Sequence, residues 1–288
     1  MVSGLADRSS RYVLLLLSSM AFSCSPGGSS GENVFTSDRF LNIAHRGGAL
    51  LAPEETMVAY ENAVAAGADV LEMDLHETAD GVIVCMHDEK IDRTTDGEGF
   101  IRNFTYEELS RFDAGYNFSP PDFPCRGRGL IVPRFVDILD AFTDMSFMAE
   151  IKQVDPPIID DVLEVIRERG LYERIIIASL VDSVVERVKE KDPRVMTSWG
   201  TTEMLTFVTM SDEDEKTFLP SSRFLQPPRE VISEETMERI RRFALKVHVW
   251  TVNEPADMRR FMGMGVDGII TDDPETLEVL ASSRFSRY

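Results

Sequence analysis

Residues 70–74 read Val-Leu-Glu-Met-Asp, and this short stretch decides how the rest of the chain is interpreted. Alternate side chains of a β-strand point to the same face, so Glu72 and Asp74 would share one face of a strand. Their apolar neighbours Val70, Leu71 and Met73 indicate that the strand is buried, where unpaired carboxylates are costly. The pattern therefore predicts a buried strand that carries part of a functional site.

From residue 41 onward, short β-type segments alternate with amphipathic helical segments. Repeated βα units of this kind are typical of a parallel sheet, and about 250 residues suffice for one α/β barrel. We therefore predict an α/β fold, a (β/α)8 TIM barrel. The candidate strands cover residues 41–45, 70–74, 82–87, 147–151, 175–178, 195–199, 224–226, 247–251 and 268–271.

These candidate strands number one more than an eight-stranded barrel uses. Segment 224–226 has the weakest strand pattern of the set. Segment 82–87 follows the preceding strand too closely for the helix that parallel neighbours require. A hairpin-like connection at Asp80-Gly81 would explain that short spacing.

A small insertion is predicted after the third strand, over about residues 89–132. This stretch is rich in Gly, Pro and Asp and contains one short helical pattern, at 106–112. Loops of this length inside a compact domain are commonly functional. We expect the insertion to cover one face of the barrel and to shape substrate access.

The amino terminus has the pattern of a secretory signal, with two arginines before the apolar run of residues 12–22. The run is too short to span a bilayer, which takes about 20 residues. Small residues before Cys24 and a flexible tract after it resemble a bacterial lipoprotein signal, whose cysteine becomes lipidated. Phe22 departs from that pattern, and ordinary cleavage near Ser23 is the alternative.

The chain accordingly divides into a signal peptide of lipoprotein type (1–24), a flexible linker (25–38) and a barrel domain (39–288). We expect an exported protein that is anchored to the membrane through lipidated Cys24, or otherwise periplasmic or secreted. The sequence leaves the oligomeric state open.

The overall charge limits the possible partners. Fifty acidic and thirty basic side chains give a net charge of −20, which repels nucleic acid, so no nucleic-acid partner is expected. The same charge repels a phosphodiester, so any phosphate site has to supply local positive charge. The three cysteines, Cys24, Cys85 and Cys125, imply neither a disulfide framework nor a zinc site.

Ionisable residues are concentrated at the ends of four candidate strands, where the active site of a (β/α)8 barrel lies. Glu150 ends the fourth of them and could meet Glu72 and Asp74 from a neighbouring strand. Three converging carboxylates require a cation, because like charges this close would otherwise force protonation. Hard oxygen ligands favour Mg²⁺ or Ca²⁺ as the divalent metal.

Two histidines, His45 and His87, end the first and third candidate strands. Histidine titrates near neutral pH, so a pair suits a reaction in which one proton is removed and another is delivered. Cleavage of a phosphodiester is such a reaction. Arg46 and Lys152 follow neighbouring strand ends and would stabilise charge on the phosphoryl oxygens together with the metal.

Several motifs, in order, resemble the glycerophosphodiester phosphodiesterase (GDPD) family from about residue 41 to residue 274. They are Ala44-His45-Arg46-Gly47, Ala52-Pro53-Glu54-Glu55-Thr56, Leu71-Glu72-Met73-Asp74, Met86-His87-Asp88, Asp92-Arg93-Thr94-Thr95-Asp96-Gly97, Glu150-Ile151-Lys152, Val249-Trp250-Thr251-Val252-Asn253 and residues 265–272. The resemblance implies a TIM barrel, a divalent cation on Glu72, Asp74 and Glu150, and catalytic histidines at His45 and His87.

The resemblance also implies the reaction, which releases an alcohol and sn-glycerol 3-phosphate from a glycerophosphodiester. In the family, the substrate's own glycerol hydroxyl is often proposed as first nucleophile, giving a cyclic phosphate that water opens. Trp250 is expected to pack on the glycerol. Glu54 and Glu55 are expected beside the metal ligands, and Glu55 replaces the asparagine usual in the family, which would add negative charge there.

Two alternatives remain at this stage. One is a lysophospholipase D-like phosphodiesterase for lipid substrates, which aromatic residues of the insertion, Tyr116, Phe118 and Phe123, could favour. The other is a non-catalytic surface protein that binds phosphorylated glycerol ligands. Four further polar residues are assigned no role in the site. His76, which the sequence places on a loop, and His248 are expected to be exposed or hydrogen-bonded. Asp267 and Asp272 are expected to cap or turn the chain beside a strand.

Overall fold

The computed structural model describes residues 33–119 and 121–285. The predicted signal peptide, Cys24 and most of the predicted linker lie outside these residues. The end of the predicted linker is ordered, because Val34–Thr36 form a 3-10 helix and Phe35 is 1% exposed. Phe35 packs edge-on against Phe224 of the barrel. The prediction of a flexible linker up to residue 38 is therefore wrong for this part.

Eight parallel strands form the predicted barrel, which is nearly closed. The neighbours run in the order β6-β5-β4-β2-β1-β9-β8-β7, and β3 pairs with β2 outside this order. The strands are β1 (Leu41–Ala44), β2 (Val70–Glu77), β3 (Ile83–Cys85), β4 (Ser146–Ile151), β5 (Ile175–Ala178), β6 (Met196–Thr197), β7 (Phe224–Leu225), β8 (Lys246–Val249) and β9 (Gly268–Thr271).

The two shortest strands, β6 and β7, stand on either side of the remaining gap in the barrel. Side chains cross it: Trp199 Nε1 donates to the Ser222 carbonyl at 2.9 Å, and the Ser222 hydroxyl donates to the Thr197 carbonyl. The weak segment predicted at 224–226 is thus a barrel strand, held by its pairing with β8.

The extra strand is β3, which runs antiparallel to the end of β2 with Leu75 opposite Cys85. The hairpin predicted at Asp80-Gly81 is confirmed, since Gly81 N donates to the Thr78 carbonyl and Gly81 has a φ of 79°. β3 is paired with the end of β2 and is not a barrel strand. It therefore accounts for the one candidate strand in excess of the eight that a barrel uses. His45 and His87 follow β1 and β3 and are not part of them.

Helices surround the barrel, and most of them bury one apolar face. In α4, the residues Ile159, Val162, Leu163 and Ile166 are buried, which is the spacing of one helix face. The helices are α1 (Met57–Ala65), α2 (Tyr106–Leu109), α3 (Phe135–Ala141), α4 (Ile159–Arg169), α5 (Asp182–Lys191), α6 (Thr201–Thr209), α7 (Asp212–Glu215), α8 (Glu234–Arg242), α9 (Pro255–Met264) and α10 (Pro274–Phe285). Within the described ranges, no helix combines the length and apolarity that crossing a membrane needs.

The insertion after β3 has a small core of its own, in which Ile91, Ile101 and Leu109 pack on Val84 and Met86. Its helix α2 is shorter than the predicted 106–112 and begins with a capping box between Thr105 and Glu108. The β3 hairpin therefore connects the barrel wall to the insertion, and His87 lies where they meet.

Candidate active site

The three predicted metal-ligating carboxylates come together at the carboxyl ends of β2 and β4. Asp74 stands opposite Glu150 in the parallel pairing of these strands, and Glu72 lies two residues earlier on the same face. One oxygen from each of Glu72, Asp74 and Glu150 lies within 4.8 Å of the others. Asp74 is 1% exposed and Glu72 is also buried.

The negative charges of these clustered carboxylates have to be balanced by nearby positive charge. Burial and the neighbouring Asp74 raise the pKa of Glu72 to about 7. Lys152 Nζ lies 2.8 Å from Glu150 Oε2 and 3.2 Å from Asp74 Oδ1. Arg46 Nε lies 3.2 Å from Asp74 Oδ2, yet neither atom completes a hydrogen bond within the described residues. A buried carboxylate oxygen without a donor, beside two more carboxylates, suits a hard divalent cation.

His45 begins a tight turn directly after β1. The turn needs left-handed backbone at Arg46 (φ 51°) and Gly47 (φ 78°), and a Cβ on Gly47 would lie 2.9 Å from the Ala59 Cβ. The turn is tied to β2 because Arg46 N donates to Glu72 Oε2 at 2.8 Å. The sequence Arg-Gly after the histidine thus places the turn directly against the carboxylate cluster.

The imidazole of His45 is oriented by Asp272, at the end of β9, whose Oδ1 lies 2.6 Å from Nδ1. Burial lowers the pKa of His45, but the bond to Asp272 and the charge of Glu72 outweigh it, so that this pKa is raised. Asn253 holds Asp272 in turn, since Nδ2 donates to Asp272 Oδ2 at 2.7 Å. Asp272 therefore positions a histidine of the site, and the prediction that it only caps or turns is wrong.

His87 has a separate carboxylate partner. Its Nδ1 lies 2.8 Å from Asp88 Oδ1, and Arg93 Nε donates to Asp88 Oδ2 at 2.6 Å. Arg93 also donates to both oxygens of Glu54, at 2.8 and 2.6 Å. Glu54 completes the chain by accepting from Arg46 NH1 at 3.1 Å. Glu54 thus connects the two histidine environments, because it accepts from Arg46, which follows His45, and from Arg93, which binds the Asp88 partner of His87.

Both histidines open onto one pocket of ≈160 Å³. Trp250 lies on its wall, as expected for a residue that packs on substrate, with its Nε1 donating to the Gln226 carbonyl at 2.6 Å. The pocket is lined by His45, Arg46, Glu72, His87, Glu150, Lys152 and Trp250, together with residues that the sequence did not single out, among them Ser179, Leu180, Ser198, Trp199 and Gln226.

Of the two remaining histidines, His76 is hydrogen-bonded as expected but does not lie on a loop, whereas His248 lacks the expected hydrogen bond within the described residues. His76 lies on β2, where a loop was expected, and is 4% exposed. Its Nε2 lies 3.3 Å from the His87 carbonyl oxygen. His248 is fully buried on β8, stacked on Phe224, and neither ring nitrogen has a hydrogen-bond partner within the described residues. His248 is thus neither exposed nor hydrogen-bonded.

Comparison with known proteins identifies the family. Residues 45–276 match the profile described as the "Glycerophosphoryl diester phosphodiesterase family". A glycerophosphodiester phosphodiesterase from Caldanaerobacter subterraneus subsp. tengcongensis is 35% identical over 242 residues, which are 82% of this chain and 96% of that protein. The chain belongs to the glycerophosphodiester phosphodiesterase family.

Solved structures have the same fold as this glycerophosphodiester phosphodiesterase. A structure of a glycerophosphoryl diester phosphodiesterase from Silicibacter pomeroyi superposes with a TM-score of 0.75 at 24% identity, covering 88% of this chain and 96% of that one. An Oleispira antarctica phosphodiesterase, solved in complex with the product sn-glycerol-3-phosphate, gives a TM-score of 0.71 at 20% identity, covering 83% and 95%. These structures show the fold, and the family match with the 35% identical relative shows that the chain is an enzyme of the kind that hydrolyses glycerophosphodiesters.

Glu55 departs from the family's usual asparagine. It is 3% exposed with a φ of 58°, its Oε1 accepts from Asp74 N at 2.9 Å, and its Oε2 is bonded to the Tyr60 hydroxyl. Burial and the charges of Asp74 and Glu72 raise its pKa well above the ordinary value. Burial thus favours the uncharged form of the Glu55 carboxyl, and its hydrogen bond supports the backbone of Asp74.

Proposed function

We propose that this protein is a metal-dependent phosphodiesterase that splits glycerophosphodiesters into an alcohol and sn-glycerol 3-phosphate by His/His acid–base catalysis. One observation carries the proposal: His45, His87, Glu72, Glu150 and Lys152 line the same pocket. Few other chemistries need two imidazoles, a carboxylate cluster and a cationic side chain in one small space.

Glu72, Asp74 and Glu150 would hold the cofactor, Mg²⁺ or Ca²⁺, since all their ligand atoms are hard oxygens. The cation would neutralise charge that builds up on the phosphoryl oxygens. Lys152 and Arg46 already flank the carboxylates, at 2.8 Å from Glu150 and 3.2 Å from Asp74 respectively, and would bind the phosphoryl group from the other side.

The two histidines would move the protons. In each, Nδ1 is bound to a carboxylate, Asp272 for His45 and Asp88 for His87, which leaves Nε2 to exchange a proton with substrate. One imidazole takes the proton of the attacking glycerol hydroxyl and the other gives one to the departing alkoxide. Their roles reverse when water opens the cyclic phosphate.

The glycerol moiety would pack on Trp250, which is fixed by its bond to Gln226. The Oleispira antarctica neighbour, solved with sn-glycerol-3-phosphate, supports a product of this size in the fold. The pocket volume of ≈160 Å³ suits a small glycerol phosphate.

The experiment is an assay with glycerophosphocholine that measures both choline and sn-glycerol 3-phosphate. The purified protein should release the two in equal amounts. His45→Ala and His87→Ala should each lose about 10²–10⁴-fold in rate, the range for a general acid or base. Calorimetry that finds tight binding, with intact substrate recovered after hours, would instead favour the non-catalytic binding protein.

A second candidate is a lysophospholipase D-like activity, because a groove with an apolar side lies beside the site. The groove, of ≈330 Å³, is lined by Leu50, Pro53 and Phe118 and reaches Glu54 and Arg93. Leu50 is 59% exposed, as a side chain that meets an acyl chain would be. Tyr116 and Phe123 are stacked on Arg126 instead. Hydrolysis of lysophosphatidylcholine faster than glycerophosphocholine would favour this candidate.

Export and lipidation are proposed from the sequence alone. Mass spectrometry of the mature amino terminus would detect a diacylglyceryl group on Cys24. A terminus near Ser23 or Cys24 without lipid would leave a periplasmic or secreted protein.

A further inference from the structure

His76 is a buried histidine that the proposed reaction does not use. It lies on β2, two residues after Asp74, so its side chain points to the same face as the metal-site carboxylates. Only 4% of its surface is exposed. A buried polar ring has to find a hydrogen-bond partner or carry a free-energy cost.

The partner of His76 is the main chain of His87, whose carbonyl oxygen lies 3.3 Å from His76 Nε2. A carbonyl oxygen can only accept, so Nε2 carries the ring proton and donates. The side chain of His87 is held separately, by Asp88. His87 is therefore fixed at two points, its imidazole by Asp88 and its backbone by His76.

The segment that carries His87 has its other anchors on either side of that residue. β3 ends at Cys85. Met86 N then donates to the Asp74 carbonyl at 2.9 Å, and the Glu89 carbonyl accepts from Ile101 N at 2.9 Å. The bond from His76 falls between these two anchors, at the residue whose ring faces the pocket.

We propose that His76 is a positioning residue: its Nε2–H fixes the main chain of His87 and so places the His87 imidazole at the substrate. The inference rests on the proposed function, in which His87 exchanges a proton. A shift of about 1 Å in a reacting group can cost roughly 10²-fold in rate. Because His76 does not line the pocket with Trp250, its loss should leave substrate binding largely intact.

The test compares His76→Leu with His76→Gln, whose amide nitrogen reaches about the position of the imidazole Nε2. For His76→Leu we expect kcat on glycerophosphocholine to fall by about 10-fold or more, with KM changed by less than about 2-fold. His76→Gln should recover most of the lost kcat. If His76 only stabilised the fold, His76→Gln would not recover kcat, and His76→Leu would not lower kcat while leaving KM nearly unchanged.

His248→Leu is the matched control, because His248 is also buried on a strand but has no hydrogen-bond partner within the described residues. This variant should keep the wild-type kcat. Hydrogen exchange measured by mass spectrometry adds a readout that does not depend on turnover. The amides of Met86 and Ile101, which donate to the Asp74 and Glu89 carbonyls on either side of His87, should exchange faster in His76→Leu than in wild type, and at the wild-type rate in His248→Leu.

The inference would be overturned by a His76→Leu variant with wild-type kcat, by a His76→Gln variant no better than His76→Leu, or by unchanged exchange at the Met86 and Ile101 amides. The proposed function fails differently, through a wild-type protein that turns over no glycerophosphodiester. In that case the exchange comparison still decides whether His76 holds the His87 segment.

Discussion

Nδ1 of His45 lies 2.6 Å from Oδ1 of Asp272, and the two residues directly follow adjacent strands of the barrel. β1 and β9 pair in parallel with Ala44 opposite Thr271, so the next residue of each strand is a neighbour of the other. Asn253 then holds the second oxygen of Asp272. The barrel register itself thus builds an oriented His–Asp pair at the edge of the pocket.

Asp272→Asn should weaken catalysis and shift its pH dependence. The amide keeps the shape of the carboxylate but loses its charge, and that charge contributes to the raised pKa of His45. We expect the pKa of His45 to fall, so the limb of the kcat/KM profile that reports His45 moves to lower pH. Turnover should fall by about 10²-fold or more. Steady-state kinetics between pH 5 and 9 measure both effects.

The control for this prediction is Asp267→Asn, the same substitution just before β9, at the opposite end of the strand. Asp267 accepts from Val247 N at 2.9 Å and pairs with Lys246, far from the reacting groups along the strand. Its loss should change stability and leave the pH profile in place. Equal losses of turnover in the two variants would mean that Asp272 acts only on the fold.

Glu55→Gln should have little effect on stability, because burial favours the uncharged carboxyl of Glu55 and an amide has nearly the same shape and hydrogen-bonding groups. The change in the free energy of unfolding should stay below about 1 kcal/mol. Glu55→Ala leaves the Asp74 N–H and the Tyr60 hydroxyl without this partner and should cost about 1–3 kcal/mol or more. Urea denaturation at pH 7 compares them, and a Gln variant as unstable as the Ala variant would show that the charged carboxylate is required.

His248 should make stability depend on pH. Burial lowers its pKa from 6.5 to about 4 in the folded protein. The unfolded chain therefore binds the proton first as pH falls, so this contribution is complete above pH 6.5 and is lost as pH falls toward 4. Between pH 7 and 4, the free energy of unfolding of wild type should fall by about 3 kcal/mol more than that of His248→Leu. If the free energies of unfolding of the two proteins instead change in parallel with pH, His248 does not titrate in this way.

The barrel and the carboxylate cluster could be predicted from the sequence because both follow from local periodicity. Glu72 and Asp74 are two residues apart, so any strand there places them on one face. Glu150 could be added because strand ends of a parallel barrel share one rim. Those three residues do converge within 4.8 Å.

The sequence could not decide which predicted strand leaves the barrel. β2 extends to Glu77 because its last residues pair with β3. The polar residues after Asp74 resemble the end of a strand, so the sequence alone predicts a loop at His76. The two-residue strand β7 depends on its neighbour β8 and has almost no pattern of its own.

The carboxylate and arginine partners of His45 and His87 are not predictable from the sequence because they depend on register. Asp272 meets His45 only because β1 and β9 close the barrel side by side. Arg93 reaches Asp88 and Glu54 through the fold of the insertion, which has no periodicity to read. A useful signal was nevertheless present, since Asp88, Arg93, Asn253 and Asp272 all lie in motifs that resemble the family.

The central claim is that a divalent cation on Glu72, Asp74 and Glu150 is needed for hydrolysis beside the two histidines. The most direct measurement is release of sn-glycerol 3-phosphate from glycerophosphocholine by protein treated with EDTA and then dialysed, before and after Mg²⁺ or Ca²⁺ is restored. We predict that chelation abolishes release, that one of these ions restores it, and that Asp74→Asn cannot be restored. Undiminished release by the metal-free protein would contradict the account.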